Sequence, residues 1–282
     1  MSVVVHRVPT PDGHLAVHDH GGDGPTVVLV HGFPDTARLW DAVVPELAGF
    51  RVVAYDVRGA GASSAPARRA GYRMARLLGD LRTVAAWASP EAPVHLVGHD
   101  WGAIQAFAAG TDPGTRAALA SVTAVSAPGL EVVRWWLADV RAAPTPRRVA
   151  AVVGQARRSW YVAAFQLPVV PELLVRAGVL HAATRRAGHV ATASVADAVR
   201  GLELYRANRS AHRTSDTSSR WPSALPLEVL TGAADPFVSP AVFDPLRRRV
   251  AAEVTVLAGA GHWLPRTHPR IVAEAVRRAA TR

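Results

Sequence analysis

Val94-His95-Leu96-Val97-Gly98-His99-Asp100-Trp101-Gly102 runs from an apolar strand pattern, through two glycines, into a helical stretch at 103–109. One glycine stands two residues before Asp100 and another two residues after it. A sharp strand-to-helix turn demands that spacing, because the central residue is strained and the flanking positions have no room for a side chain. The residue at such a bend is commonly a serine nucleophile. Here it is Asp100. A carboxylate attacks carbon without a base to activate it and yields an alkyl ester, so the suitable electrophiles are strained or halogenated carbons. The helix that starts at Trp101 would stabilise the carboxylate through its free N–H groups and its dipole. In isolation the segment also fits an aspartate that merely caps a helix between close-packed glycines.

Working outward, short β-branched runs at 3–8, 15–18, 27–30, 52–55, 94–97 and 121–125 alternate with amphipathic stretches, the rhythm of a sheet that is parallel across most of its width. Met74, Leu77, Leu78, Leu81, Val84 and Ala85 fall on one helical face, a stripe that should pack on that sheet. After Pro128 the rhythm changes. Up to about residue 220 the chain reads as helices carrying Trp135, Trp136, Trp160, Tyr161, Phe165 and Tyr205, ending in a polar stretch at 208–220. Strand patterns resume at 227–230 and 254–257, and Pro269 opens a final helix at the position proline tolerates best. The expectation is an α/β fold: a mostly parallel central sheet with helices on both faces, formed by 1–128 and 221–282, and an inserted helical cap at 129–220.

The edge of that sheet gathers the remaining candidates. His31-Gly32-Phe33-Pro34 follows the strand at 27–30, where open α/β sheets bind ligands. The peptide N–H groups of Phe33 and Trp101 could then point at one oxygen of Asp100 as an oxyanion hole, which matters when an ester is hydrolysed. Asp235 follows the strand at 227–230, and His262 follows that at 254–257 within Gly259-Ala260-Gly261-His262-Trp263. The chain order nucleophile, acid, histidine lets Asp235 hold the imidazole tautomer while His262 activates water. Glu131, after the preceding strand, is a second candidate for the acid.

Composition excludes several classes. With 282 residues and 49% hydrophobic content, the chain can bury a substantial core. No stretch of about 18 apolar residues suggests a membrane span and no signal-peptide pattern opens the chain, so a soluble protein is expected. The absence of cysteine removes disulfides and thiolate sites and agrees with a cytoplasmic location. The formal charge of +10 comes from arginines scattered in pairs rather than from a stripe with interleaved aromatics, so a nucleic-acid partner is not expected. Twelve dispersed histidines offer no metal-binding spacing. Gly59-Ala60-Gly61 lacks the third glycine of a dinucleotide loop and reads as support for the sheet edge.

Taken together, His31-Gly32-Phe33-Pro34, Asp56-Val57-Arg58-Gly59-Ala60-Gly61-Ala62-Ser63, Gly98-His99-Asp100-Trp101-Gly102, Asp235 and His262 resemble the epoxide hydrolase branch of the α/β-hydrolase superfamily, over nearly the whole chain. The resemblance implies hydrolysis of an epoxide to a vicinal diol through an ester on Asp100. It also implies cap tyrosines that donate hydrogen bonds to the epoxide oxygen. Tyr205, in Leu204-Tyr205-Arg206, matches one of them. The second is expected just before Phe165-Gln166, but that position holds Ala164, and Tyr161, one helical turn earlier, is the substitute. Trp101, Phe33, Trp160 and Phe165 are the expected pocket residues. Small apolar electrophiles and water are the expected partners, with no cofactor and no metal; the chain would be a monomer or homodimer. Haloalkane dehalogenases share the aspartate and the following tryptophan, and take a second halide donor from Asn, where Phe33 stands here, or from a cap tryptophan. A ligand-binding protein on the same fold, without catalysis, is the alternative from another class.

Overall fold

The computed structural model describes residues 3–188, 192–209 and 221–282. Eight strands form one sheet: β1 (Val4–Thr10), β2 (Gly13–Asp19), β3 (Thr26–Val30), β4 (Arg51–Tyr55), β5 (Val94–His99), β6 (Leu119–Val125), β7 (Leu227–Gly232) and β8 (Ala252–Leu257). Their order is β1-β2-β4-β3-β5-β6-β7-β8. β1, β2 and β4 pair antiparallel, and every pairing from β4 to β8 is parallel. Each of the eight strand patterns in the sequence has its strand.

β3, β5 and β7 are buried along their whole length, as expected of strands covered on both faces. Alternation sorts their side chains. Val28 and Val30 face the layer that includes Leu77, Leu81, Val84 and Phe107, whereas Val27 and Leu29 face Trp40, Val272 and Val276. The first layer is supplied by α1 (Met74–Ala88) and α2 (Trp101–Thr111), the latter followed by the short α3 (Pro113–Arg116). The second is supplied by the final helix, Pro269–Ala280, which buries Val272, Ala273, Ala275, Val276 and Ala279. Each fully buried Val or Leu contributes about 1.5–3 kcal/mol, so these two layers hold β5 and its elbow rigidly.

Among the described residues, six helices lie between β6 and β7 in the sequence: α4 (Leu130–Ala142), α5 (Pro146–Arg158), α6 (Trp160–Ala164), α7 (Val170–Arg176), α8 (Val179–Arg186) and α9 (Val195–Ala207). α9 starts with a capping box between Ser194 and Asp197 and buries Ala198, Leu202, Leu204 and Tyr205. α5 and α6 contain no fully buried residue, though Tyr161 and Val162 of α6 pack against the core. From residue 210 to 220 the expected polar connection lies outside the described residues. Among the described residues, no helix is long and apolar enough to cross a membrane, and no cluster of His, Cys, Asp or Glu could hold a metal.

Candidate active site

Asp100 sits at the bend between β5 and α2 with φ 53° and ψ −118°, a backbone conformation that costs a non-glycine residue of order 1–3 kcal/mol. The glycines around it are there for space. A Cβ at Gly98 would strike the backbone of Gly102, one at Gly102 the carbonyl of Val30, and one at Gly32 the carboxylate of Asp100 itself. Packing therefore fixes the carboxylate against the turn after β3. There the Phe33 N–H donates to Asp100 Oδ1 at 2.8 Å. No hydrogen bond is formed by the Trp101 N–H among the described residues.

The turn after β3 is itself pinned. His31 bonds the Gly32 carbonyl through Nδ1 at 2.8 Å and accepts the Val57 N–H on Nε2 at 2.8 Å. Asp56 accepts the N–H groups of Ala37 and Ala62 at 2.8 and 3.0 Å. Gly61, at φ 53°, has no room for a Cβ against the Asp56 carboxylate. Arg58 grips Asp80 with two hydrogen bonds of 2.6 Å. The segment 56–63 thus buttresses the sheet edge.

His262 closes the constellation. Its Nδ1 lies 2.7 Å from Asp235 Oδ2 and its Nε2 lies 3.5 Å from Asp100 Oδ2. Asp235 is held in turn by the N–H groups of Phe237 and Val238, at 2.7 and 3.0 Å on its other oxygen. Burial pushes the His262 pKa down, but the charge of Asp235 and the contacts with Asp100 outweigh it and hold the value up at about 10. With Asp100 ionised, His262 is therefore an imidazolium. Glu131, the second candidate acid, is buried at the start of α4, and burial raises its pKa; Asp235 is the acid bonded to His262.

Two residues that sequence reading missed hold His262 in place. Ser126 Oγ donates to the His262 carbonyl at 2.7 Å, and His99 Nε2 lies 3.1 Å from the same oxygen. Burial drives the His99 pKa down to about 4, so its ring is neutral. Ser126 has φ 60°, and no residue pattern announces it. The next residue, Trp263, donates its indole N–H to Asp35 at 3.0 Å. Asp35 also accepts from Thr192 at 3.1 Å, which ties the approach to α9 to the turn after β3.

The helical segment brings the tyrosines over Asp100. α9 sits on Phe33 because residue 201 is glycine, where a Cβ would strike the Phe33 ring. Tyr205 then stacks edge-on against Trp101, Phe33 and Phe165, with ring centroids 5.1, 5.5 and 5.1 Å away. Tyr161 lies 6.0 Å from Tyr205, centroid to centroid, and 5.6 Å from Phe237. Burial, then the charges of Asp100 and Asp235, push the Tyr161 pKa up; burial, Tyr161 and Asp100 do the same to Tyr205. Both hydroxyls stay protonated donors. Arg206 locks this arrangement by donating to the carbonyls of Phe165 and Leu167, both at 2.8 Å, while pairing with Glu172 and Glu203.

A cavity of about 990 Å³ lies between sheet edge and helices, with Asp100, His262, Tyr161, Tyr205, Phe33 and Phe165 in its wall. Of the expected pocket residues, Phe33, Phe165 and Trp160 line the wall and one is placed differently. Trp101 is not part of the wall, because Tyr205 covers its indole. Trp160 reaches the wall but is 69% exposed. Ala164 also lines the cavity, and the space where a tyrosine was expected opens beside Tyr161.

A parallel sheet with an aspartate elbow, a histidine and an acid on successive strand ends defines a hydrolase-type site. Residues 25–269 match the family model described as alpha/beta hydrolase fold, and the chain belongs to that family. Within it, epoxide hydrolases recur among the proteins the chain is similar to, as the sequence resemblance implied. The solved epoxide hydrolase A from Mycobacterium thermoresistibile superposes with a TM-score of 0.76 at 24% identity, covering 99% of this chain and 98% of that one. Epoxide hydrolase 3 from Xenopus tropicalis is 27% identical over 94% of this chain and 76% of its own. The protein named "Probable oxidoreductase EphD" from Mycobacterium tuberculosis is 38% identical over 95% of this chain, which spans only 48% of that protein.

Proposed function

We propose that the chain hydrolyses an epoxide to a vicinal diol, with Asp100 as the covalent nucleophile. The observation that carries this reading is the pair of tyrosines, Tyr161 and Tyr205, whose rings lie 6.0 Å apart and share one cavity wall with Asp100. An epoxide oxygen becomes an alkoxide when its ring opens, and such a leaving group needs hydrogen-bond donors opposite the nucleophile.

In the first step Asp100 Oδ2, the oxygen not held by Phe33, attacks an epoxide carbon and the carbon–oxygen bond breaks. The oxygen takes a proton from the tyrosine pair. Esterification removes the negative charge of Asp100, which is one of the reasons His262 holds its proton. The imidazolium pKa falls, its proton restores the tyrosine, and neutral His262 becomes the base. In the second step His262 takes a proton from water, and the hydroxide attacks the ester carbonyl. Charge developing on Oδ1 is stabilised by the N–H of Phe33 and by that of Trp101. Collapse breaks the bond from the carbonyl carbon to Oδ2, the proton of the added hydroxyl passes to the departing alkoxide, and the diol leaves with the carboxylate regenerated, while Asp235 keeps the imidazole oriented throughout.

A haloalkane would need halide donors in place of the tyrosine pair. Trp101 is covered by Tyr205, Trp136 packs with Val140 and Val242, Trp135 sits against Arg249, and Trp160, the one of these in the cavity wall, is 69% exposed at its rim, so the tyrosine pair favours the epoxide. A single turnover in heavy-oxygen water tests the ester. The expected result is label in Asp100, found by mass spectrometry of the elbow peptide, and an unlabelled first diol. Label in the diol alone would refute the covalent route, and halide release without diol formation would favour dehalogenation.

A further inference from the structure

We propose that the rim of the cavity, built from α5 to α8, docks on an anionic lipid surface, from which an apolar substrate enters the cavity directly. This goes beyond the reaction itself and does not depend on which bond the enzyme breaks.

Most of the exposed large apolar side chains of the described residues come from one stretch, 149–179. Five of them, Trp160 (69% exposed), Leu167, Val170, Leu174 and Val179, also line the cavity. The apolar wall that surrounds Asp100 therefore continues outward onto the molecular surface. An exposed apolar rim of this kind marks an interaction site.

Charge selects the partner. Between residues 146 and 188 the sequence holds seven arginines and one acid, Glu172. That acid is taken by Arg206. Arg157, Arg158 and Arg186 stand exposed in the same rim, and none of the three makes an ion pair among the described residues. Cores of protein–protein interfaces are depleted of charge, whereas arginines interleaved with Trp and aliphatic side chains suit a headgroup region, where each side chain buries its stem and keeps its charge in water. A strained residue marks the same place. Val169, 62% exposed between Leu167 and Val170, has φ 65°, an outlier for a β-branched side chain that the fold tolerates while presenting aliphatic surface to the outside.

Vesicle flotation of the intact chain tests the docking, comparing phosphatidylcholine vesicles with vesicles that also contain phosphatidylglycerol, at low and high salt. Binding to the anionic vesicles should be roughly ten-fold tighter or more and should weaken as salt is raised. The triple variant Arg157→Glu, Arg158→Glu, Arg186→Glu should lose at least that ten-fold, and Leu167→Ser with Val169→Ser should weaken binding by a smaller factor, with unchanged circular dichroism in each case. Absence of flotation, equal binding to neutral vesicles, or an unaffected triple variant would overturn the proposal. So would a concentration-dependent dimer, seen by light scattering, that the same substitutions dissociate, because the rim would then be covered by a second copy. Should the triple variant not fold, the salt and lipid dependence of the unaltered chain still decides.

Discussion

The loops at the end of the sheet and the helices above them are built to different standards. On the sheet side each reactive group is fixed by at least one further contact: Asp100 by the Phe33 N–H, Asp235 by two backbone N–H groups, and His262 by Ser126 and His99 on its carbonyl. On the helical side, α4, α7 and α9 reach the core through Val132, Val175 and Leu202, whereas α5 and α6 contribute no fully buried residue. Chemistry that tolerates errors of a fraction of an ångström is placed on close-packed strands. On the proposed mechanism, admission of the substrate is left to a layer in which α5 and α6 contain no fully buried residue.

The largest test of that division is Asp100 itself. Asp100→Gly should abolish turnover, a loss on the order of 10⁶-fold, yet raise unfolding stability by about 1 kcal/mol because glycine accepts the positive φ without strain. Calorimetry and kinetics on the same sample check both halves. A destabilised variant would mean that the elbow stores no strain.

Next come the tyrosines, where the two layers meet. Tyr205→Phe and Tyr161→Phe should each lower kcat for an epoxide by about 10²-fold, the scale of a positioned acid. An effect confined to KM would demote both to pocket shape and leave catalysis entirely to the sheet side. The comparison also extends to Ser126. Ser126→Ala removes one of the two donors on the His262 carbonyl and should cost about 1 kcal/mol of stability, with a roughly ten-fold drop in kcat and little change in KM. A purely structural role would show the stability loss alone.

The last test concerns pH and reads stability rather than turnover. His262 titrates at about 10 in the fold against 6.5 in a free side chain. A raised pKa favours the protonated folded state, so the stability it contributes is complete below about pH 6.5 and is lost as pH rises through about 10. Denaturation at a series of pH values should show that decline, and His262→Gln should flatten it.

Much of this was legible in the chain. All eight strands and the stripe of α1 follow from residue periodicity, because burial on one or both faces leaves a mark at every second or every third-to-fourth position. Gly98, Asp100 and Gly102 foretold the elbow, since only glycine fits where backbones meet. Ser126 and His99 escaped notice because a hydrogen bond to a distant carbonyl leaves no trace in local pattern. The same holds for the tyrosine pair. Family resemblance pointed to Tyr205, but whether Tyr161 could stand in for a tyrosine at Ala164 depends on how α6 leans over the cavity, and Trp101, expected in the cavity wall, lies behind Tyr205 for the same reason.

The sequence by itself determined the sheet, its order of loops and the identity of the residues at the elbow, because backbone sterics and hydrophobic periodicity act over a few neighbouring positions. Tertiary structure alone decided the choice of Asp235 over Glu131 beside His262, the clamp on the His262 carbonyl, the meeting of Tyr161 with Tyr205, and a cavity that opens among arginines. Those contacts join residues tens to more than a hundred positions apart, and only the closing of the helices over the strands sets their distances.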